Sequence, residues 1–534
     1  MLSCLLKYLK PLSVLVFLII ANGCEENAKN KDKKIFKYNQ SSGIASLDPA
    51  FSKDQATIWA CTHLYNGLVT LDDSLSVVPA IASHWEIADS GKSYTFHLRN
   101  DVWFHENACF KNGKRKVNAF DFVYSFSRIL DSKVASPGSW IFSEHIDTSN
   151  AFTALDSFTF KIKLKKPFLP LMGILTMTYC SVVPKEAVDF YGPDWRSNPV
   201  GTGPFLFKKW KEGVAQILLK NNNYFEFENN KRLPFIDGVK ITFITDKKTE
   251  FLSFKAHQLD FISGIDASYI DEVLDETGNL KANLKNEFKL EKSPYLNTEY
   301  LGFNTLLSTT NNKQLRQAIN YGIDRAEIIR YLRNGVGKEA IHGFVPMGLP
   351  SFNHKEIAAS YDPQKAIALL KSIPKVEREN ISLYTNETYK EIGLMVTKQL
   401  SKIGLEVKLE VNPGSVLREW MVKGSVGFFR GSWIADYPDA ESYYAVFYSK
   451  NGCPPNYTRF RNIEYDKIYE EALSETNENK RFELYHKLDG IINKEIPLVP
   501  LYYDEVLRFY HKNIHGLNGN GLNILKLKTV KIIS

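Results

Sequence analysis

The stretch Phe428-Phe429-Arg430-Gly431-Ser432-Trp433-Ile434-Ala435-Asp436-Tyr437-Pro438-Asp439 holds the densest set of residues able to enclose a polar ligand. A carboxylate at Asp436 can pair with an ammonium, a guanidinium at Arg430 with a carboxylate, and Trp433 can supply a flat apolar wall. The run ends a predicted strand and turns at Pro438, which puts these side chains at a strand end, where α/β proteins build sites. Spacing alone favours a plainer arrangement, a packed tryptophan flanked by surface charges.

Signatures of catalysis are missing. The chain has no G-x-S-x-G elbow, no P-loop, no G-x-G-x-x-G after a strand and no H-E-x-x-H. Gly201-Thr202-Gly203-Pro204 is glycine-rich, but it lacks the lysine and the downstream helix of a phosphate loop. The 11 histidines never fall at i, i+4 on a predicted helix. No catalytic residue, metal site or cofactor is therefore expected. With Cys4 and Cys24 set aside, Cys61, Cys109, Cys180 and Cys453 are scattered without a C-x-x-C pair, which supports neither a zinc site nor a redox motif. Buried free thiols are expected, although one or two disulfides are permitted in an oxidising compartment.

The elements that must position these residues read as mixed α and β. Tyr94, Phe96 and Leu98 alternate with polar neighbours, as do Phe158, Phe160, Ile162 and Leu164, the period of half-buried strands. Between them Asn118 can cap a helix, with Asp121 in its first turn and Phe122, Val123, Phe126, Ile129 and Leu130 on one stripe. Residues 71–174 thus predict a small α+β lobe. Further on, Asp362-Pro363 opens a helix, and a second helix carries Ile392, Val396, Leu400 and Ile403. Gly404 terminates that helix, and a strand follows through Leu405, Val407, Leu409 and Val411, the repeating unit of an α/β lobe.

A chain of 534 residues exceeds one compact core and predicts two or three lobes. Lys7 and Lys10 precede an apolar run of ten, Leu12 to Ala21, too short to span a bilayer and fitted to an export signal. Small residues lead into Cys24 and a polar, lysine-rich stretch, the arrangement of a bacterial lipobox whose cysteine is acylated, although Ala21 stands where leucine is usual. Losing Lys7 and Lys10 lowers the formal net charge from +7 to +5, too mild an excess to argue for nucleic acid.

In collinear order over the mature chain, the sequence resembles family 5 of bacterial extracellular solute-binding proteins, the oligopeptide and dipeptide receptors. The blocks are Leu47-Asp48-Pro49, Leu64-Tyr65-Asn66-Gly67-Leu68, Tyr94 to Arg99 through Phe104-His105, Phe120 to Phe126 with Ala135-Ser136-Pro137, Asn198 to Phe205, and Leu301-Gly302-Phe303-Asn304. Leu315-Arg316-Gln317-Ala318-Ile319 with Ile323-Asp324-Arg325, Trp433 to Asp439, and Pro500-Leu501-Tyr502-Tyr503 complete the series.

The resemblance implies an α/β, mixed α+β, fold of the type II periplasmic binding protein kind, bilobed, with an extra small α+β domain and a ligand cleft between the lobes. It implies a signal peptide over 1–23 and a lipidated Cys24 with a polar tether over 24–40. Domain I would comprise 41–70, 175–290 and 505–534, domain II 71–174, and domain III 291–504, with hinge strands near 290 and 504. A monomer is expected, tethered at the cell envelope or periplasmic membrane face, serving the permease and ATPase subunits of an ABC importer. The implied ligand is a short peptide: Asp436 takes its ammonium, Arg430 helps neutralise its carboxyl end, and Asn304 and the backbone from Gly431 to Trp433 pair with its main chain. Tyr503 would form a pocket wall. Where oligopeptide receptors carry a second arginine, this chain reads Trp420-Met421-Val422-Lys423, with Lys423 the available substitute. Sugars, metal chelates and peptidoglycan peptides are alternative ligands of such a receptor, and an exported hydrolase is the alternative from another class.

Overall fold

The computed structural model describes residues 33–147 and 150–533. The export signal and Cys24 lie outside the described residues. Strand β1 (Ile35–Asn39) begins the fold within the stretch expected as tether (24–40), because Phe36 and Tyr38 alternate with lysine and are fully buried. The tether expectation is corrected there: a run of lysines conceals a two-period strand. Helix α1 (Gln55–Leu64) follows, its first turn capped by the Asp54 carboxylate accepting from the Thr57 N–H.

Residues 82–163 build a separate antiparallel sheet from β2 (Ala82–Ala88), β3 (Ser93–Leu98), β4 (Phe152–Asp156) and β5 (Thr159–Lys163), in the order β2-β3-β5-β4. Helix α2 (Ala119–Leu130) lies on it, started by a complete capping box between Asn118 and Asp121. Phe122 and Phe126 of the helix meet Phe160 and Ile162 of the sheet, all fully buried, so the two-period and helical-period stripes read from sequence face each other.

The main sheet has eleven strands among the described residues. One half comprises β1 with β6 (Phe205–Lys211), β7 (Ala215–Lys220), β8 (Gly238–Thr242) and β9 (Phe261–Ser263). Strand β10 (Phe288–Phe303) then leads to the other half, made of β11 (Ile381–Thr385), β12 (Val407–Val411) and β13 (Phe428–Ile434). Strand β14 (Leu498–His511) returns, giving the order β12-β11-β13-β10-β14-β9-β1-β8-β7-β6, with the short Lys338–Glu339 strand also on β14. The predicted α/β unit is present: Asp362 caps Pro363–Ser372, helix Lys390–Lys402 follows β11, and Gly404 turns at φ +85 before β12.

Strands β10 and β14 join the halves. Sixteen residues of β10 run about 50 Å at strand rise. Residues 288–294 pair with β14 from 511 to 505, near β9, and residues 298–302 pair with β14 from 503 to 498, beside β13. The register breaks between them, so Tyr295, Leu296 and Asn297 oppose the single residue Asp504. Leu296 turns its hydrogen bonds elsewhere: its N–H goes to Gly521 O at 2.7 Å and its carbonyl accepts the Ala435 N–H at 2.9 Å.

Several blocks of the family resemblance prove to be joints of this frame. Asp48 caps the short turn after it and pairs with Arg128 of α2 at 2.6 Å, tying the small sheet's helix to the first lobe. Gly201 and Gly203 let their backbone lie against the end of α1, where a Cβ would come within 2.0 Å of Leu64 O and 2.4 Å of Leu64 C respectively. The glycines serve close approach, not phosphate. All four described cysteines are free thiols, Cys61 and Cys180 buried. Because backbone rather than a flexible side chain blocks the Cβ, Gly203→Ala should cost about 3 kcal/mol or more in urea unfolding; a loss under about 1 kcal/mol would refute this packing role.

Candidate functional site

Strand β11 meets β13 only through Leu383 with Phe428 and Tyr384 with Phe429. It ends at Thr385, and the chain leaves the sheet toward helix Lys390–Lys402. From Arg430 onward β13 is therefore paired with β10 on one side and has no strand on the other. The hydrogen bond from Ala435 N–H to Leu296 O sets the phase of the antiparallel ladder. Alternation then turns the backbone groups of Gly431 and Trp433 toward β10, and those of Arg430, Ser432 and Ile434 toward the open edge. The expectation of main-chain pairing around Gly431 to Trp433 shifts to Ser432 and Ile434. Gly431 has its own structural reason: a Cβ there would lie 2.5 Å from the Tyr300 ring.

Asp436 stands just past this edge, at the junction of the lobes. Its neighbour Tyr437 packs on Gly173 of the first half, where a Cβ would be 3.5 Å from Tyr437 Cδ2. Solvent reaches the Asp436 side chain, yet the protein crowded around it removes enough water to push its pKa up to about 6. Its N–H reaches Ser442 Oγ at 3.4 Å, and among the described residues no cation pairs with its carboxylate. The nearby Tyr179 hydroxyl, from the first half of the chain, is pushed up by burial and then by the Asp436 charge.

A buried acid–tyrosine network holds the loop after Asp436. Glu441 accepts hydrogen bonds from the hydroxyls of Tyr437 and Tyr469, and Asp439 accepts from Tyr485 at 2.8 Å and pairs with Arg481 at 3.3 Å. Burial lifts Glu441 to about 7.

The other expected residues divide. Trp433 is half-buried, with its indole packed against the Tyr300 and Phe429 side of the sheet. Arg430 has a partner already: its guanidinium pairs with Glu299 and lies 3.1 Å from the Tyr389 ring centroid. Asn304 sits at the far end of β13 from Asp436, its amide donating to Gly424 O at 3.1 Å and its side-chain oxygen accepting from the Leu306 N–H. Tyr503 is buried, donating to Gly343 O at 2.9 Å and packed edge-on against Phe352. Lys423 pairs with Glu419 on its own helix. Asn304 and Tyr503 thus have their polar atoms engaged internally, whereas Lys423 makes an exposed pair on the surface of its helix.

Arg430 Nε, Trp433 Nε1, Thr385 Oγ1 and Asn386 Oδ1 are among the buried polar atoms without a protein partner, of which the fold has others elsewhere. A cavity of about 700 Å³ lies elsewhere, lined by Trp103, Tyr191, Phe225 and Asn221 among others, and none of the expected site residues borders it. The sequence reading included Ser432 within the Gly431 to Trp433 backbone but missed Ile434, Glu299 and Tyr389. Glu299 carried a weak signal, an acid set just before the apolar run Tyr300-Leu301.

Two lobes joined by a pair of long strands, with an open strand edge at their junction, define a two-lobed binding protein. Residues 76–453 match the family described as bacterial extracellular solute-binding proteins, family 5 Middle, and the chain belongs to that family. It is a solute-binding protein of the kind that serves ABC importers, with the type II periplasmic binding protein fold. The chain is 25% identical to the dipeptide-binding protein DppE of Bacillus subtilis (strain 168) over 95% of its own length and 93% of that protein's. It is 27% identical to heme-binding protein A of Haemophilus influenzae, covering 89% of this chain and 88% of that one. Among solved structures, the periplasmic binding protein DppA from Helicobacter pylori in complex with peptide STSA superposes with a TM-score of 0.76 at 24% identity, over 95% of this chain and all of that one. No helix among the described residues is long and apolar enough to cross a membrane.

The buried Glu441 gives a stability test. Its native pKa, about 7, lies above its ordinary value of 4.5, so the folded state holds the proton more tightly and stability falls as pH rises between those values. Wild type should therefore lose about 2 kcal/mol relative to Glu441→Gln on going from pH 5 to pH 8, read from urea unfolding. A difference that stays constant with pH would show that Glu441 titrates normally.

Proposed function

We propose that the protein captures short peptides along the open edge of β13 and is an extracytoplasmic receptor, tethered through acylated Cys24, that delivers them to an importer's permease. The carrying observation is Asp436, a carboxylate without a cation at the end of an unpaired strand edge. An extended peptide adds a strand there, exchanging hydrogen bonds with Ser432 and Ile434 while its α-ammonium meets Asp436. Main-chain and terminal-charge recognition is indifferent to peptide sequence, which suits a nutrient receptor. The lobes, 71–174 as an appended domain and the remainder as two jaws hinged at β10 and β14, would close around the bound chain. Binding rather than hydrolysis is the proposed role, in keeping with the dipeptide-binding and peptide-complexed proteins the chain resembles.

Calorimetry with tri- and tetrapeptides tests this. Asp436→Ala leaves an enclosed ammonium uncompensated, at about 3–5 kcal/mol, so affinity should fall by about 100-fold or more. N-acetylated peptides should bind as poorly to the wild type. Ammonium pairing requires ionised Asp436, whose pKa is about 6; affinity should be full near pH 7.5 and drop about tenfold at pH 5. Equal binding of free and acetylated peptides would sink the assignment, and native mass spectrometry of protein purified from cells would then show which solute it carries.

A further inference from the structure

The two charged ends of the groove are not equivalent. Asp436 has no counter-ion, whereas Arg430 is neutralised within the protein. The Arg430 and Glu299 side chains are only 10% and 4% exposed, and the guanidinium is covered by the Tyr389 ring. Neighbouring charges cancel as well. Asn297 Nδ2 bridges Glu299 Oε1 at 3.3 Å and Asp504 Oδ2 at 3.4 Å, and Asp504 pairs with Arg333, which lies over the Tyr502 ring at 4.3 Å. Two acids and two arginines thus sum to zero beside the register break of β10. On the helix before β13 (Gly414–Lys423), Lys423 pairs with Glu419 and Arg418 is exposed to solvent, while Arg459, farther along the chain, donates to the carbonyls of Met421, Val422 and Tyr457.

A peptide with its ammonium at Asp436 and its first residue on Ile434 advances about 3.4 Å per residue in step with β13, so its third residue lies on Ser432 and its fifth comes beside Arg430. A free carboxylate arriving there meets a guanidinium already matched by Glu299, and breaking that pair would leave a buried Glu299 charge. We infer that Glu299 is a specificity determinant which makes this receptor blind to the ligand's carboxyl terminus: the site selects ammonium-ended chains whose other end is free, amidated or continued. This rests on the peptide reading above.

The test compares a panel of pentapeptides in three forms, free, C-terminally amidated and N-acetylated, by calorimetry on the full-length protein. Amidation should change Kd by less than threefold while acetylation weakens binding by 30-fold or more. In Glu299→Gln, Arg430 loses its counter-charge, and a preference of at least tenfold for the free acid over the amide should appear. If amidation already costs the wild type tenfold or more, Arg430 does read the carboxylate and the inference falls, leaving the peptide reading intact. A folded Glu299→Gln protein without the new preference overturns it equally. If that variant does not fold, the wild-type comparison decides alone; if no form of peptide binds the wild type, the peptide reading fails and takes the inference with it.

Discussion

One backbone hydrogen bond organises the candidate site: Ala435 N–H to Leu296 O. Leu296 lies in the break of the β10–β14 register, where three residues oppose one. Freed from β14, its carbonyl takes the end of β13 and its N–H takes Gly521 near the C-terminus. The same contact fixes the phase of β13, so that Ser432 and Ile434 turn outward, and it fixes where Asp436 leaves the strand. A slip of one residue would exchange the inward and outward sets and carry every side chain of β13 to the other face. Junction, edge and carboxylate are therefore consequences of one register.

The frame around that contact is built from close approaches and buried pairs. Gly201 and Gly203 bring the first lobe's backbone onto Leu64, and Gly302 and Gly431 let the rings of Phe429 and Tyr300 lie across the β10–β13 pair. Buried Arg325 bonds Pro500 O at 2.7 Å and Asn320 Oδ1, fastening a helix to β14, and Arg316 clasps the carbonyls of Thr310, Asn311, Glu495 and Ile496. These residues lie within the blocks that carry the family resemblance. Blocks of this kind stand out because a backbone contact or a buried guanidinium tolerates few substitutes, in contrast to the Trp433 to Asp439 block, which holds Asp436.

That distinction explains what could be read without coordinates. The small lobe was legible because Phe96, Phe160 and Phe122 follow the periods of strand and helix, and Asn118 with Asp121 is a local signal for a helix start. Asp436 was legible only through the resemblance, since spacing favoured a surface charge. Strand β1 was hidden by its lysines. The internal engagement of Asn304 and Tyr503 was not legible because it depends on partners at Gly424 and Gly343, 120 and 160 residues away. The resemblance pointed to the backbone from Gly431 to Trp433, but the choice of Ser432 and Ile434 over their neighbours was invisible: which alternate residues face outward is decided by the neighbour's register, which no local pattern encodes.

Charge pairing then separates the one acid from the rest. Asp48 has Arg128, Asp439 has Arg481, Glu299 has Arg430 and Asp504 has Arg333. Glu441 has no cation but has two tyrosine hydroxyls and complete burial, and its raised pKa makes the neutral form accessible near pH 7. Asp436 has neither a cation nor a hydroxyl donor, and water reaches it. A carboxylate crowded by protein yet kept wet and unpaired is costly to a structure that pairs its neighbours so consistently. Its position beside an unpaired strand edge gives that cost a use, because a chain laid on the edge delivers an ammonium to the place where the protein itself supplies none.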